Sequence, residues 1–274
     1  MFDSYRPATL EEALELMGKK TLIPLAGGTD LMIRARNFQG ASRNFKGDVI
    51  LIAHLNALKG ITETEEAYVI GANVTQAEMV ASKELPEFVR HVVAEMATPA
   101  IRNAATLGGN IVNAASVADT LPVLYACDAK VVLKSVKGER FVKIEDFVLE
   151  KYKTDRQPDE LLISIVLPKF HIQSYTYHKM GQRKASILSK VSFLVLCTDH
   201  DVRIAIGALN DTVLRSKEIE KMIAQKKPKT EILSAYQALY QSHDDKRSTK
   251  AYKERVVNNL IGKWLDEKHE VNNG

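Results

Sequence analysis

The stretch Pro24–Arg34, PLAGGTDLMIR, places two adjacent glycines, a threonine and an aspartate directly after a short apolar run. Adjacent glycines allow positive φ angles and let backbone N–H groups approach a ligand, because no Cβ stands in the way. Consecutive N–H groups in such a turn form a concave site that suits a phosphate or pyrophosphate. An ordinary turn after a strand would use the same residues, so this stretch alone leaves both interpretations open.

A second stretch, Ala105–Asn110 with the sequence ATLGGN, repeats the pattern of a threonine next to a glycine pair. Neither stretch is a G-x-G-x-x-G dinucleotide fingerprint, and neither is a P-loop, since no Lys-Ser/Thr follows the glycines. Two such turns on one chain favour a nucleotide cofactor bound between two loops. The side chains that could hydrogen-bond a polyhydroxylated ligand are Thr29, Thr106, Asn110, Asn113, Ser116 and Asp119.

The composition excludes several classes of protein. Two cysteines, Cys127 and Cys197, are too few for an iron–sulfur cluster held by this chain alone, and the scattered histidines predict no metal site. A net charge of +4, with basic residues dispersed among acids and no interleaved aromatic residues, argues against nucleic-acid binding. No apolar run reaches the roughly 18 residues of a membrane span, and no secretory signal is recognisable. We therefore expect a cytoplasmic protein that does not bind membranes.

Strand and helix patterns are mixed rather than regularly alternating, which favours an α+β fold. Thr9 and Glu12 predict a helix start, and the apolar stripe that follows ends near Gly18. The segment 101–135 is rich in small residues and shows no helical period until DTLPVLYACDA. The pattern of predicted strands and helices changes near Pro168–Gln173, which predicts two domains, residues 1–170 and residues 171–274. The second would have three strands followed by three helices.

Five segments carry a resemblance to a known family. They are LAGGTDLMIRAR, IRNAATLGGNIVNAASVADTLPVLYACDA, ELLISIVLP, YHKMGQRKASILSKVS and STKAYKERVVNNLI. Their order and spacing resemble the FAD-binding (medium) subunit of the molybdenum hydroxylases, the xanthine dehydrogenase family. The resemblance implies a vanillyl-alcohol-oxidase-type (PCMH-type) FAD-binding domain with two α+β lobes, roughly 1–55 and 56–170. A small C-terminal α+β domain with a three-stranded sheet, similar to that of CO dehydrogenase flavoprotein, would follow.

The resemblance also implies which residues bind FAD. The first glycine turn would cradle the pyrophosphate with its backbone amides, and Asp119 would hydrogen-bond the sugar or ribityl hydroxyls. Leu162 would lie beside the flavin ring system, and Lys179 would lie near the ring, where its charge could stabilise the reduced flavin. The full set is Ala26, Gly27, Gly28, Thr29, Asp30, Thr106, Gly109, Asn110, Asn113, Ser116, Asp119, Leu162 and Lys179; no catalytic residue is expected in this chain.

Simpler roles stay open for three of these residues. Asp119 could cap the helix that begins after it, and Lys179 could be a surface lysine on an edge strand. Asp30 could be a turn residue that bonds its own backbone.

The implied activity is electron transfer through FAD in a multi-subunit molybdenum hydroxylase. Substrate, for example xanthine, would be oxidised at a molybdopterin on one partner subunit, and electrons would reach the flavin through 2Fe-2S clusters on another. They would leave to NAD or another acceptor. A stand-alone FAD-dependent reductase and a scaffold subunit without FAD are the alternatives.

Overall fold

The computed structural model describes residues 2–36, 45–183 and 186–271. Two residues of the fourth resembling segment, Lys184 and Ala185, lie outside the described residues. The chain divides into two compact units. The first comprises Met1–Ala114 and Cys127–Lys169, and the second comprises Ala115–Ala126 and Phe170–Gly274.

The first unit contains two principal sheets. A small parallel sheet has the order β1-β3-β2, and a five-stranded antiparallel sheet has the order β4-β5-β10-β6-β7; β8 and β9 form a separate hairpin. The strands are β1 (Ser4–Tyr5), β2 (Ile23–Leu25), β3 (Val49–Leu51), β4 (Ile61–Glu63), β5 (Ala67–Gly71), β6 (Lys130–Ser135), β7 (Gly138–Lys143), β8 (Val148–Glu150), β9 (Lys153–Thr154) and β10 (Leu161–Pro168). The segments TLIPLA, DVILIAHL, AYVIGA, KVVLKS, ERFVKI and ELLISIVLP predict β2, β3, β5, β6, β7 and β10. The shorter β1, β4, β8 and β9 are not predicted.

Short helices connect these strands. They are α1 (Leu10–Lys19), α2 (Leu31–Arg34), α3 (Gln76–Ala81), α4 (Glu87–Ala94), α5 (Pro99–Arg102), α6 (Leu107–Asn113) and α8 (Ile144–Phe147), with a 3₁₀ turn at Asn56–Leu58. The Thr9 hydroxyl accepts a hydrogen bond from Glu12 N at the start of α1, as the sequence predicts. Leu10, Leu14 and Met17 of α1 are buried in one apolar cluster with Ile50 and Ile52, so the helix stripe covers the small sheet.

The second unit is built on one antiparallel sheet with the order β11-β12-β13. Its elements are β11 (Ile172–Met180), β12 (Val191–Thr198), β13 (Val202–Gly207), α7 (Thr120–Ala126), α9 (Lys217–Ala224), α10 (Lys229–Gln237) and α11 (Lys250–Val271). Strands and helices pack around fully buried Phe193, Tyr236 and Ile261. The three predicted strands and three predicted C-terminal helices are confirmed, and the architecture is α+β as expected.

The segment 101–135 differs from the sequence-based prediction. It forms two helices, α5 and α6, before α7, although no helical period was recognisable there. Both helices are short, since α5 is a single turn with the sequence PAIR and α6 has the sequence LGGNIVN, rich in Gly and Asn. Their apolar faces therefore leave little periodic signal. Each is stabilised instead by a threonine cap: Thr98 accepts from Ile101 N, and Thr106 accepts from Gly109 N.

Candidate functional site

The first unit contains an open cavity of about 420 Å³, a size typical of small-molecule sites. Its walls come from β2 and the turn after it, from α6, and from the chain on both sides of the β9–β10 connection. Ten of the sequence-predicted site residues line it: Ala26, Gly27, Gly28, Thr29, Asp30, Thr106, Gly109, Asn110, Asn113 and Leu162. The other three, Ser116, Asp119 and Lys179, belong to the second unit.

The first glycine pair forms the turn that the sequence predicts. Gly28 has a φ of +66°, a conformation that an L-residue adopts only at a cost. A Cβ on Gly27 would lie 1.8 Å from Ala104 O, so this residue must be glycine for the turn to pack against the neighbouring backbone. The N–H groups of Gly27, Gly28 and Thr29 donate no hydrogen bond to any described residue. They are therefore available to a ligand in the cavity.

The second glycine pair is not a turn, and this part of the prediction is wrong. Gly108 and Gly109 lie in the first turn of α6, whose N-cap is Thr106. All four leading N–H groups of this helix have partners in the protein: Leu107 N donates to Val74 O, Gly108 N to Ala72 O, and the N–H groups of Gly109 and Asn110 to Thr106. A Cβ on Gly108 would lie 2.7 Å from the Cβ of Ala72. This pair allows close packing of the helix and exposes no backbone donor.

Polar side chains form a cluster at the cavity beside the first turn. Arg34 Nη1 donates to Asn113 Oδ1 at 3.1 Å and lies 3.9 Å from Asp30 Oδ2. The Arg34 guanidinium also lies over the Tyr152 ring, 4.6 Å from its centroid. Asp30 makes no side-chain cap to the following helix, so the alternative role in which it bonds its own turn is not observed.

The cavity lining also includes four residues that were not predicted from the sequence: Arg34, Asn73, Tyr152 and Arg156. Asn73 is buried, and its Nδ2 donates to Ile52 O at 2.6 Å. Arg156 lines the cavity from the segment between β9 and β10, and its burial lowers its pKa. Arg34 stood within the quoted first segment and could have been chosen as a polar residue near the turn. Asn73, Tyr152 and Arg156 carry no local motif, and only the tertiary fold brings them here.

In the second unit, Asp119 and Lys179 form a buried ion pair. Lys179 Nζ lies 2.8 Å from Asp119 Oδ2, and the Ser189 hydroxyl donates to Asp119 Oδ1 at 2.7 Å. The Lys179 side chain has no exposed surface, so the alternative of a surface lysine is wrong. Ser116 uses its backbone carbonyl to accept a hydrogen bond from Ala208 N. The predicted contacts of Ser116, Asp119 and Lys179 with FAD stay predictions.

Comparisons with known proteins identify the family. A family model described as the FAD binding domain in molybdopterin dehydrogenase matches residues 1–170. The chain belongs to this family. A second model, the CO dehydrogenase flavoprotein C-terminal domain, matches residues 177–268. The chain is thus an FAD-binding subunit of the molybdenum hydroxylase family and the flavoprotein component of an oxidoreductase, with the two-part PCMH-type fold that its sequence predicted.

Individual members of the family are similar over most of the chain. The xanthine dehydrogenase FAD-binding subunit of Escherichia coli O157:H7 is 32% identical over 81% of this chain and 80% of its own length. The glyceraldehyde dehydrogenase medium chain of Sulfolobus acidocaldarius is 28% identical over 97% and 98%. A chain of the reconstituted CO dehydrogenase from Oligotropha carboxidovorans has a TM-score of 0.84 at 27% identity and covers 96% of each chain.

The cavity of this FAD-binding domain fits its cofactor. Three unbonded N–H groups at the first turn suit a pyrophosphate, and the lining combines the apolar residues of β2 with threonine and asparagine residues. The charged side chains that line it are one carboxylate, Asp30, and two guanidinium groups, Arg34 and Arg156. No helix among the described residues is long and apolar enough to cross a membrane.

Proposed function

We propose that this chain is the electron-transfer subunit of a multi-subunit molybdenum hydroxylase and holds FAD in the cavity of its first unit. The observation that carries the proposal is the glycine turn with its three unbonded N–H groups at the cavity wall. FAD, when bound, would accept electrons from 2Fe-2S clusters of a partner subunit and release them to NAD or another acceptor. The oxidation of substrate would take place at a molybdopterin on a third subunit.

The chain itself would bind and orient the cofactor. The N–H groups of Gly27, Gly28 and Thr29 would hold the pyrophosphate, and the hydroxyls of Thr29 and Thr106 would add donors beside them. Leu25 and Leu162 would exclude water from the cavity walls. The hydrogen bond from Asn73 Nδ2 to Ile52 O fixes the orientation of this amide in the cavity lining.

The division of labour among subunits rests on the composition of the chain and on the names of its relatives. Two cysteines, one buried and one partly buried, cannot supply the roughly four thiolates of a cluster. Two relatives are named as an FAD-binding subunit and as a medium chain, and these names support a subunit role here. The cytoplasmic location and the individual partners stay predictions.

The test is a purification of the tagged full-length chain from its own cells, followed by flavin and metal analysis. We expect FAD, iron and molybdenum in whole-number ratios, because the partners should stay associated. FAD without iron or molybdenum, together with NADH turnover by the chain alone, would indicate a stand-alone reductase. A colourless chain that binds no added FAD would indicate a scaffold.

The acceptor needs a separate measurement. Chemically reduced, FAD-loaded protein is mixed with NAD, and the recovery of flavin absorbance is followed by stopped flow. Rapid recovery supports NAD as the acceptor. Recovery only with an added quinone or dye would assign a different acceptor.

A further inference from the structure

Arg156 lines the cavity, and one edge of its guanidinium group is hydrogen-bonded to the backbone. Its Nη1 donates to the carbonyl oxygens of Gln157 at 3.0 Å and Glu160 at 2.7 Å. These two bonds tie the guanidinium to the turn that leads into β10. The side chain therefore has a fixed position at the cavity wall and loses little entropy when a ligand binds.

The opposite edge of the guanidinium is unused. Neither Nε nor Nη2 of Arg156 donates a hydrogen bond to a described residue, and both atoms keep contact with solvent. Nε and Nη2 present two roughly parallel N–H donors. This is the fork with which arginine binds two oxygens of a phosphate or carboxylate.

The charge of Arg156 is also without a direct partner, because its acidic neighbours are paired elsewhere. Glu160 accepts from Arg140 Nε at 2.6 Å, and Asp155 also pairs with Arg140. Asp159 pairs with Lys137 at 2.9 Å. No carboxylate of the described chain lies within 4 Å of the Arg156 guanidinium.

Burial weakens the charged form of this group. Desolvation lowers the pKa of Arg156 and outweighs the attraction of the Glu160 and Asp159 carboxylates. A partly desolvated cation without a counter-ion is unfavourable unless a ligand supplies the negative charge. The other guanidinium of the cavity, Arg34, differs because Asn113, Asp30 and Tyr152 already surround it.

We propose that Arg156 binds the pyrophosphate of FAD through its free Nε–Nη2 edge. The inference rests on the proposed placement of FAD in this cavity. A pyrophosphate is permanently anionic, whereas the oxidised isoalloxazine ring is neutral and would leave the cation uncompensated in the resting protein. Arg156 and the first glycine turn would then bind the same dianion from two walls of the cavity.

The test compares the affinities of ADP, FAD and riboflavin for the full-length chain and its variants by calorimetry and flavin fluorescence. In Arg156→Gln we expect ADP and FAD to bind about 10- to 100-fold more weakly, the range of a charge-assisted hydrogen bond pair. Riboflavin, which has no phosphate, should bind as it does to the unsubstituted chain. Arg156→Lys keeps the charge and loses the fork. Its affinities for ADP and FAD should therefore lie between those of the unsubstituted chain and those of Arg156→Gln.

Controls separate this contact from general effects. Arg6→Gln removes a charge from an exposed position outside the cavity and should change no affinity. Thermal unfolding of each variant checks the turn that Nη1 holds, and if Arg156→Gln does not fold, Arg156→Lys carries the test. The ADP affinity of the unsubstituted chain should also fall more steeply with salt than that of Arg156→Gln.

An ADP affinity that is unchanged in Arg156→Gln would overturn the proposal. If the flavin midpoint potential moved at the same time, Arg156 would face the isoalloxazine ring instead. A different result would show that FAD does not bind in this cavity at all. In that case a substitution in the glycine turn, Gly28→Ala, would also leave FAD affinity unchanged.

Discussion

At the scale of single residues, the two glycine pairs perform different tasks although their sequences look alike. The first pair leaves N–H groups unbonded at the cavity, whereas the second has every N–H group bonded within the protein. The difference comes from Thr106, which caps a helix, and from Ala72, against which Gly108 packs. Only the first pair can cradle a phosphate with its backbone.

Gly28→Ala tests the role of the first pair. Its φ of +66° and the side chains of Leu25 and Met32, each 3.0 Å from an added Cβ, oppose the substitution. We expect a loss of about 1–2 kcal/mol in the free energy of unfolding and at least tenfold weaker FAD binding, measured by fluorescence titration.

Gly60→Ala is the matched control for that substitution. Gly60 has a φ of +91°, and an added Cβ would meet no atom within 4 Å. Stability should fall by a comparable amount while FAD affinity stays unchanged, because Gly60 does not line the cavity. Equal losses of FAD affinity in both variants would show that the turn has no specific role.

At the scale of elements, the start of α6 depends on its cap. Thr106→Ala removes the acceptor for Gly109 N, and we expect the free energy of unfolding to fall by about 1 kcal/mol. Thr106→Ser keeps the hydroxyl and should retain most of the stability. Denaturant titration measures both, and equal losses in the two variants would assign the effect to the lost methyl group.

A partly buried ion pair between Asp245 and Lys253 joins the segment before α11 to that helix. Burial by itself would raise the pKa of Asp245, but hydrogen bonds from Lys253 Nζ and from the N–H groups of Arg247 and Ser248 lower it well below its usual value. Because the pKa is lower in the folded state, this stabilisation is present above about pH 4, the unfolded pKa, and is lost as the pH falls towards the folded pKa.

Asp245→Asn tests this pair. Lys253 has a side chain only 3% exposed, so at pH 7 we expect a loss of about 3 kcal/mol in the free energy of unfolding. The difference from the unsubstituted chain should shrink below pH 4. Asp266→Asn, which breaks the exposed pair with Lys229, should change stability by less than about 1 kcal/mol. A difference that stays constant down to pH 2 would contradict the assignment.

Some helices and strands of this chain can be predicted from sequence patterns, and others cannot. Apolar runs predict β5, β10 and β12, and an amphipathic stripe with a threonine cap predicts α1, because burial of one face leaves a period in the sequence. α6 leaves no such period, since glycine packing and capping hold it in place. The resemblance and the glycine turn locate ten residues of the cavity, whereas Tyr152 and Arg156 reach it through a tertiary fold that no local pattern encodes.

At the scale of the whole molecule, the division of the chain is discontinuous. All residues of α7 are buried, and the helix belongs to the second unit. More than forty residues of the first unit separate it in sequence from the rest of the second unit. Its last carbonyls accept hydrogen bonds from Arg203 and Arg215. A Cβ on Gly207 of β13 would lie 2.9 Å from Pro122, so strand and helix pack closely.

Because α7 packs against β13, we expect that residues 171–274 do not form a stable domain without α7. A fragment of residues 171–274 lacks α7 and should unfold without cooperativity, because an apolar face of β12 and β13 is uncovered. The same fragment with residues 115–126 joined through a flexible linker should unfold cooperatively. Circular dichroism during urea titration distinguishes the two, and cooperative unfolding of the short fragment would contradict the role of α7.

A crystal structure of this chain grown with FAD would test whether the first unit holds the cofactor at its glycine turn. We expect the pyrophosphate within hydrogen-bonding distance of the N–H groups of Gly27, Gly28 and Thr29, with the cavity filled by the cofactor. FAD bound elsewhere on the chain, with this cavity empty, would contradict it.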